Sequence, residues 1–176
     1  WPSLDFALDG KRALVTGAGQ GIGASIARHL AAAGCEVLVN DVVGARADVV
    51  AGEIAEAGGS VSAVPFDVTD HAAVIAAVGA EGIDVLVNNA GNGGIDSAGT
   101  ASFGAIAPFA DTTPQDWQPL IAINLYGVMH CIQAVLPHMT EAGWGRVITI
   151  SSDAGRTGGA NYAAYSAAKA GAAGFS

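Results

Sequence analysis

Two side chains near the end of the sequence are spaced for proton transfer. Tyr165 and Lys169 stand four residues apart in Tyr162-Ala-Ala-Tyr-Ser-Ala-Ala-Lys169, so on a helix they share one face. A free phenol ionises near pH ~10 and a nearby ammonium favours the phenolate, each unit of lowering being worth roughly 1.4 kcal/mol. Tyr165 can then serve as a general acid or base near neutral pH. Tyr162 is the poorer candidate, because Ser166 stands four residues beyond it. Taken alone, a Tyr/Lys helix pair is commonly surface decoration, so its meaning depends on the rest of the chain.

A second constellation lies near the start. Ala13-Leu-Val15 is a short apolar run of the kind that ends a buried parallel strand. Gly17, Gly19, Gly21 and Gly23 follow in alternation. A helical stretch then runs to Ala33, with Ile22, Ile26, Ala27 and Leu30 on one face and Gly34 closing it. In a strand–glycine turn–helix unit, free N–H groups and the positive end of the helix dipole converge where a pyrophosphate can sit. Glycines let the chain turn and the phosphates approach. Gly17, Gly19, Gln20, Gly21, Ile22 and Gly23 are the candidate contacts, and a glycine-rich turn that binds nothing is the plain alternative. Asp41 ends the next strand, 24 residues after Gly17. A carboxylate there can accept both hydroxyls of an adenosine ribose and would repel a 2′-phosphate. No basic residue replaces Gln20 or Val42, and Arg46, the nearby cation, falls in the following helix. This favours NAD over NADP; Asp41 as a mere helix cap is the other reading.

The elements that must position these residues alternate. Strands are read at Cys35–Asn40, Ser60–Pro65, Ile83–Val87 and Trp144–Ile150, besides the one ending at Val15. Helices are read at Ala45–Ala57 (inner face Val49, Val50 and Ile54), after a cap at Thr69 or Asp70, from the Thr113 cap to about Met139, and from Tyr162 to Phe175. Trp1 to Leu8 reads as a loose lead-in, and Asn92–Asp111 and Asp153–Asn161 as loops. Five strands alternating with five helices imply an α/β fold, a Rossmann-type doubly wound parallel sheet covered on both faces. Ligands of such sheets bind at the carboxyl ends of the strands. Gly17–Gly23, Asp41, Asp67, Asn88–Gly91 and Ser151-Ser152 all follow strand ends, so they gather along one edge.

Composition narrows the class. The 176 residues suit a single dinucleotide-binding domain, and 51% hydrophobic against 13% charged residues is a globular composition. A net charge of −9 argues against nucleic acid and against an anionic membrane surface as partners. The apolar runs read as too short and interrupted for a membrane span. Cys35 and Cys131 are isolated, which reads as two buried free thiols in a reducing cytoplasm. No metal-ligand pattern stands out.

The ordered motifs resemble those of the short-chain dehydrogenase/reductases, including 3-oxoacyl-carrier-protein reductases and secondary alcohol dehydrogenases. The matching residues are Thr16-Gly-Ala-Gly-Gln-Gly-Ile-Gly23, Asp67-Val68, Asn88-Asn-Ala-Gly91, Asn124, Ser152 and Tyr165-x-x-x-Lys169, with Ser152 13 residues before Tyr165. The resemblance implies an NAD-dependent oxidoreductase acting on a small secondary alcohol or ketone. In it Ser152 would bond the substrate oxygen, Tyr165 would exchange a proton with it, and Lys169 would lower the Tyr165 pKa and hold the nicotinamide ribose. It implies that Asp67 and Val68 hold the adenine, that Asn88, Ala90 and Gly91 line the adenosine ribose, and that Ile22 sits near the nicotinamide. Asn124 is an amide in an apolar helical stretch: it either bonds its own helix or a neighbouring loop, or, as the resemblance implies, distorts the helix and holds a water leading to Lys169. A non-catalytic NAD-binding sensor or scaffold is the alternative function, and the presence of Ser152, Tyr165 and Lys169 together speaks against it. The resemblance also implies a homodimer or homotetramer built on the helices of Asn124 and Tyr165, with Ala163, Ala164, Ala167, Ala168 and Ala172 allowing close packing. Family members run to roughly 250 residues. Against them this sequence lacks the last two strands, so a C-terminally incomplete domain over residues 1–176 is expected. Its fifth strand would be a raw edge, aggregation-prone and catalytically poor by itself.

Overall fold

The structure, a computed structural model, describes residues 8–93 and 108–176. Its strands are β1 (Arg12–Val15), β2 (Glu36–Val39), β3 (Val61–Ala63), β4 (Val85–Asn88) and β5 (Arg146–Thr149). They form one parallel sheet in the order β3-β2-β1-β4-β5. Leu14 of β1 stands opposite both Leu38 of β2 and Leu86 of β4. Side chains alternate across a strand, so these three leucines enter one core. Ala13, Val15, Val37, Val39, Val85 and Val87 enter the other. Burial on both faces is why the strands read as unbroken apolar runs.

Helices α1 (Gly21–Ala32) and α2 (Gly44–Glu56) cover the valine face. Helix α3 (His71–Val78) lies on the leucine face, together with the long segment made of α4 (Pro114–Ile121), a π-helical stretch (Ala122–Tyr126) and α5 (Gly127–Glu141). A short α6 (Ala154–Thr157) and α7 (Ala163–Phe175) follow β5. The parallel doubly wound fold therefore stands as read from the alternation. Of the two capping residues considered for α3, Asp70 is the cap, its side chain accepting from the Ala73 N–H. Thr113 caps α4 with Pro114 behind it, and the Asp116 carboxylate accepts the Thr113 N–H at 2.8 Å.

Several expectations are corrected. Helix α1 begins at Gly21, and its buried residues are Gly23, Ala24 and Ala27 rather than the face of Ile22, Ile26, Ala27 and Leu30; Ile22 is 67% exposed. In α2 the buried stripe is Ala47, Val50 and Ile54, and Val49 is 62% exposed, because the next residue along a helix is turned about 100° away. The helix expected to run unbroken to Met139 is wound as a π-helix around Asn124. Pro114–Glu141 is, by length and composition, apolar enough to cross a membrane, contrary to the expectation from run lengths. It instead lays Val128, Cys131, Ile132, Val135 and Met139 on the sheet. A helical turn, α6, stands where a loop was read. The lead-in before Leu8 and residues 94–107 of the loop read over Asn92–Asp111 lie outside the described residues. Cys35 and Cys131 are free and buried. Among the described residues β5 pairs only with β4, and Ile148 is left partly exposed.

At the amino ends of the strands Asp84 accepts the Arg12 N–H at 3.0 Å and pairs with Lys11 at 3.3 Å, with His138 Nε2 3.7 Å away. Burial pushes its pKa up, but the Arg12 N–H and the Lys11 ammonium outweigh that and hold the carboxyl below its ordinary value. A depressed carboxyl stabilises the fold above the unfolded-state pKa of about 3.9 and loses that contribution as the pH falls through the folded value. Asp84→Asn should lower the melting temperature by about 2–4 °C near neutral pH. The gap to the wild type should shrink at about pH 3, below the unfolded-state value. A gap of equal size at both pH values in thermal melts would refute the assignment.

Candidate active site

A cleft of about 480 Å³ runs along the carboxyl ends of the strands, lined among others by Gly17, Gln20, Asp41, Val68, Ala90 and Gly91. Gly17 must be glycine twice over. Its φ of +61° is left-handed, and a Cβ there would lie 2.8 Å from the Ala90 Cα. Helix α1 starts with no side-chain cap from Gln20 and no acid in its first turn. Its N–H groups and dipole are thus unopposed, which is the condition for holding an anion. Gly19 lies deeper, its N–H donating to Asp41 Oδ2 at 3.2 Å. Gly21 and Gly23 complete the turn into α1.

Asp41 is buried and both of its oxygens are engaged, Oδ2 by Gly19 and Oδ1 by the Val43 N–H at 2.9 Å. Val43 immediately precedes α2. The two readings of Asp41 therefore coexist, since it lines the cleft and also anchors the approach to α2. Arg46 lines the cleft beside it from the first turn of α2. Asp67 also lines the cleft, with its Oδ1 accepting from the N–H and the hydroxyl of Thr69, both at 2.8 Å. Val68 is buried, and its carbonyl accepts from His130 Nδ1 at 2.9 Å.

The Asn88–Gly91 run divides its labour differently from expectation. Asn88 is buried within β4 and does not line the cleft; Asn89 does. Asn89 Nδ2 donates to the Thr16 and Gly17 carbonyls, each at 3.0 Å. The Asn89 and Ala90 N–H groups donate to Thr16 Oγ1 at 3.1 and 3.0 Å. Thr16 and Asn89 thus lash the exit of β1 to that of β4. Neither was singled out as a site residue, although both sit inside motifs the sequence displays. Asn40, just before Asp41, was missed as well. Ile22, expected near the nicotinamide, stands exposed on the first turn of α1 and is not part of the cleft wall.

At the other end of the site α7 carries Tyr165 and Lys169, both buried, Lys169 being 6% exposed. Lys169 Nζ donates to the Ile150 carbonyl at 2.9 Å, just past β5, and lies 5.9 Å from the centre of the Tyr165 ring. Burial pushes the Lys169 ammonium below its ordinary pKa. Asn124 is 0% exposed in the π-helical stretch. Its Nδ2 donates to Asn92 O at 2.8 Å and to Leu120 O at 3.0 Å, so it bonds both its own helix and the loop after β4. Its Oδ1 has no partner among the described residues. A Cβ on Gly91 would lie 2.6 Å from that Oδ1 and 3.4 Å from Lys169 Nζ. The absent side chain at Gly91 is therefore what lets the amide and the ammonium converge beside the cleft. Ser152 follows β5, half-buried, with its Oγ accepting the Ala154 N–H at 3.2 Å. Helix α6 packs its Gly155 against the backbone of Lys169 and Ala170, which holds the Ser152 segment against α7.

Known proteins share this arrangement of motifs. A family model described as short chain dehydrogenase matches residues 11–176. D-threitol dehydrogenase of Mycolicibacterium smegmatis is 37% identical over 178 residues, covering 98% of this chain and 64% of that protein. D-beta-hydroxybutyrate dehydrogenase of Cupriavidus necator is 39% identical over 176 residues, covering 96% and 63%. Among solved structures, a gluconate 5-dehydrogenase from Burkholderia cenocepacia in complex with NADP and tartrate superposes with a TM-score of 0.82 at 37% identity, over 93% of this chain and 62% of that one. A metagenomic short-chain oxidoreductase in complex with NADP gives 0.84 at 37% identity, over 96% and 74%. The chain thus spans a little under two thirds of the length of these curated relatives.

Because the Lys169 pKa is lower in the folded than in the unfolded state, the unfolded chain holds more protons between the two values, and stability rises with pH across that window. The buried charge is a destabilising element throughout the range below it. Lys169→Met should therefore raise the melting temperature near neutral pH. The gain should fade as the pH approaches the unfolded-state value of about 10.4. A variant that melts lower than the wild type at neutral pH would refute this.

Proposed function

The chain belongs to the short-chain dehydrogenase family, and from that premise we propose that it forms the nicotinamide-binding and proton-transfer part of an oxidoreductase interconverting a secondary alcohol and its ketone. The reading rests chiefly on one observation: Lys169 Nζ and Asn124 Oδ1 converge at Gly91, beside a glycine cradle and an uncapped helix. The bound nicotinamide supplies or accepts the hydride. The remaining work falls to the chain. Ser152 Oγ hydrogen-bonds the substrate oxygen and holds it toward Tyr165. The Tyr165 phenol gives that oxygen a proton in reduction and takes it back in oxidation. The Lys169 ammonium, desolvated and 5.9 Å from the centre of the Tyr165 ring, acts on it with little screening. Asn124 Oδ1 offers an acceptor for a water next to Lys169, so that a proton leaving Tyr165 has an onward path.

The residues suited to hold the dinucleotide are Gly17 to Gly23 with the start of α1 for the pyrophosphate, Asp41 for the adenosine ribose, and Asp67 and Val68 for the adenine. Ala90 and Gly91 would form the floor, with Asn89 in the place expected of Asn88. We assign NAD as the preferred form on the carboxylate of Asp41. NADP in similar solved structures and Arg46 in the cleft are the grounds for the opposite choice. The relatives' names, threitol, hydroxybutyrate and gluconate dehydrogenases, support a small hydroxylated substrate. Assembly as a dimer or tetramer through α5 and α7 is part of the proposal. Ala168 and Ala172 are spent inside the protomer, so Ala163 and Ala167, which are exposed, would form that contact. Unpaired buried thiols support a cytoplasmic setting.

Tyr165→Phe should lower turnover by roughly 10²–10⁴-fold in an NADH-formation assay with a panel of secondary alcohols, while NADH binding by fluorescence stays near the wild-type value. Full turnover in that variant would sink the mechanism, and NADH binding without turnover by the wild type would favour a sensor or scaffold. Separately, Asp41→Ala should shift the ratio of kcat/KM for NAD over that for NADP toward NADP by about tenfold or more, the loss of one charged hydrogen-bonding partner. An unchanged ratio would place the choice elsewhere.

A further inference from the structure

We propose that Asn40 is a positioning residue that couples the adenine wall of the cleft to the phosphate-binding turn, so that occupation of one end prepares the other. The inference rests on the cleft being a dinucleotide site. Asn40, at the exit of β2, is 1% exposed, and its partners come from the exits of the two neighbouring strands, β1 and β3. Its backbone N–H donates to Val15 O at 3.0 Å, and its carbonyl accepts from Ala18 N. Its side chain faces two further segments at once. Nδ2 donates to Val64 O at 3.1 Å and Phe66 O at 3.0 Å, on the chain leaving β3. Oδ1 accepts the Gly17 N–H over a longer 3.4 Å.

The asymmetry of these bonds is what suggests coupling. The amide end is held by two carbonyls, Val64 O three residues and Phe66 O one residue before Asp67. The oxygen end accepts the Gly17 N–H over the longer distance of 3.4 Å. A side-chain amide is rigid and planar, so a displacement of the Val64–Phe66 segment on adenine binding rotates Oδ1 with it. The Gly17 bond then shortens or lengthens. A shorter bond fixes the peptide that opens the phosphate turn. Asp41, the next residue, carries the same displacement to Gly19 through its Oδ2. No aliphatic side chain could do this, since the Asn40 amide supplies two donor hydrogens and one acceptor to backbone groups of both neighbouring segments.

Hydrogen–deuterium exchange of the wild-type chain with and without adenosine, which has no phosphate, tests the coupling directly. Adenosine should slow exchange at Val68 and also at Gly17. In Asn40→Ala the slowing at Val68 should persist and that at Gly17 should vanish, and the Kd for NADH should rise about tenfold, the range expected when one buried partner is lost. A merely structural residue would lower the melting temperature without separating the two amides. Exchange at Gly17 that is indifferent to adenosine in the wild type overturns the proposal whether or not the variant folds. So does a variant that binds NADH as well as the wild type. A wild-type chain that binds no NADH overturns the dinucleotide reading itself, and the coupling with it.

Discussion

A single buried ammonium sets the terms for the catalytic half of this molecule. Taking Lys169 out of water is costly, and a buried ammonium keeps its charge only where fixed dipoles replace its hydration. The Ile150 carbonyl is one such dipole, at the point where β5 ends. Gly91 is bare so that the Asn124 amide can approach from the opposite side. Asn124 in turn is delivered by a π-helical stretch; π-bulges are uncommon and concentrate at functional sites. Four elements, β4's exit, the long helix, β5's exit and α7, are thus arranged around one charge.

The phosphate-binding half is organised by a different device. Its polar side chains hold backbone as well as lining the cleft. Thr16 and Asn89 tie β1 to β4, Asn40 ties β1 and β2 to the exit of β3, and Asp41 ties the glycine turn to the start of α2. Each crosslink joins neighbouring strands of one parallel sheet, whose aligned register brings all the exits to a common edge. The consequence is a loop whose N–H groups are aimed before any anion arrives, which spares a ligand the entropy of ordering it.

The architecture was legible because buried parallel strands write themselves as apolar runs between turn residues, and Tyr165, Lys169 and the glycine turn were legible because their spacing has a chemical reason. What escaped the sequence depended on rotation and on register. Val49 and Val50 are equivalent by type, and only the start of α2 decides which is buried. Ile22 fails for the same reason, since the buried face of α1 runs through Gly23, Ala24 and Ala27 and turns Ile22 outward. The π-helical stretch leaves the apolar periodicity nearly intact, so no pattern announces it. Asn88 and Asn89 are identical side chains on opposite faces of one strand end. The choice between them follows from pleat alternation, and β4's boundary fixes it.

The buried polar atoms without partners among the described residues are Asn88 Nδ2, Asn92 Oδ1, Asn124 Oδ1 and Ser166 Oγ. Native interiors tolerate few such atoms, and here none belongs to either hydrophobic cluster. Asn88 and Asn92 flank Gly91, Asn124 meets it, and Ser166 adjoins Tyr165. A fold under selection for stability alone would have satisfied them or replaced them with apolar groups, since an unmet donor or acceptor costs about 1–3 kcal/mol. Of these atoms, Asn124 Oδ1 stands beside Gly91 and Lys169 Nζ, where the proposed function would use an acceptor for a water. At the sheet's other end Asp84 is paired with Lys11 and accepts the Arg12 N–H, so its polar groups find their partners within the chain.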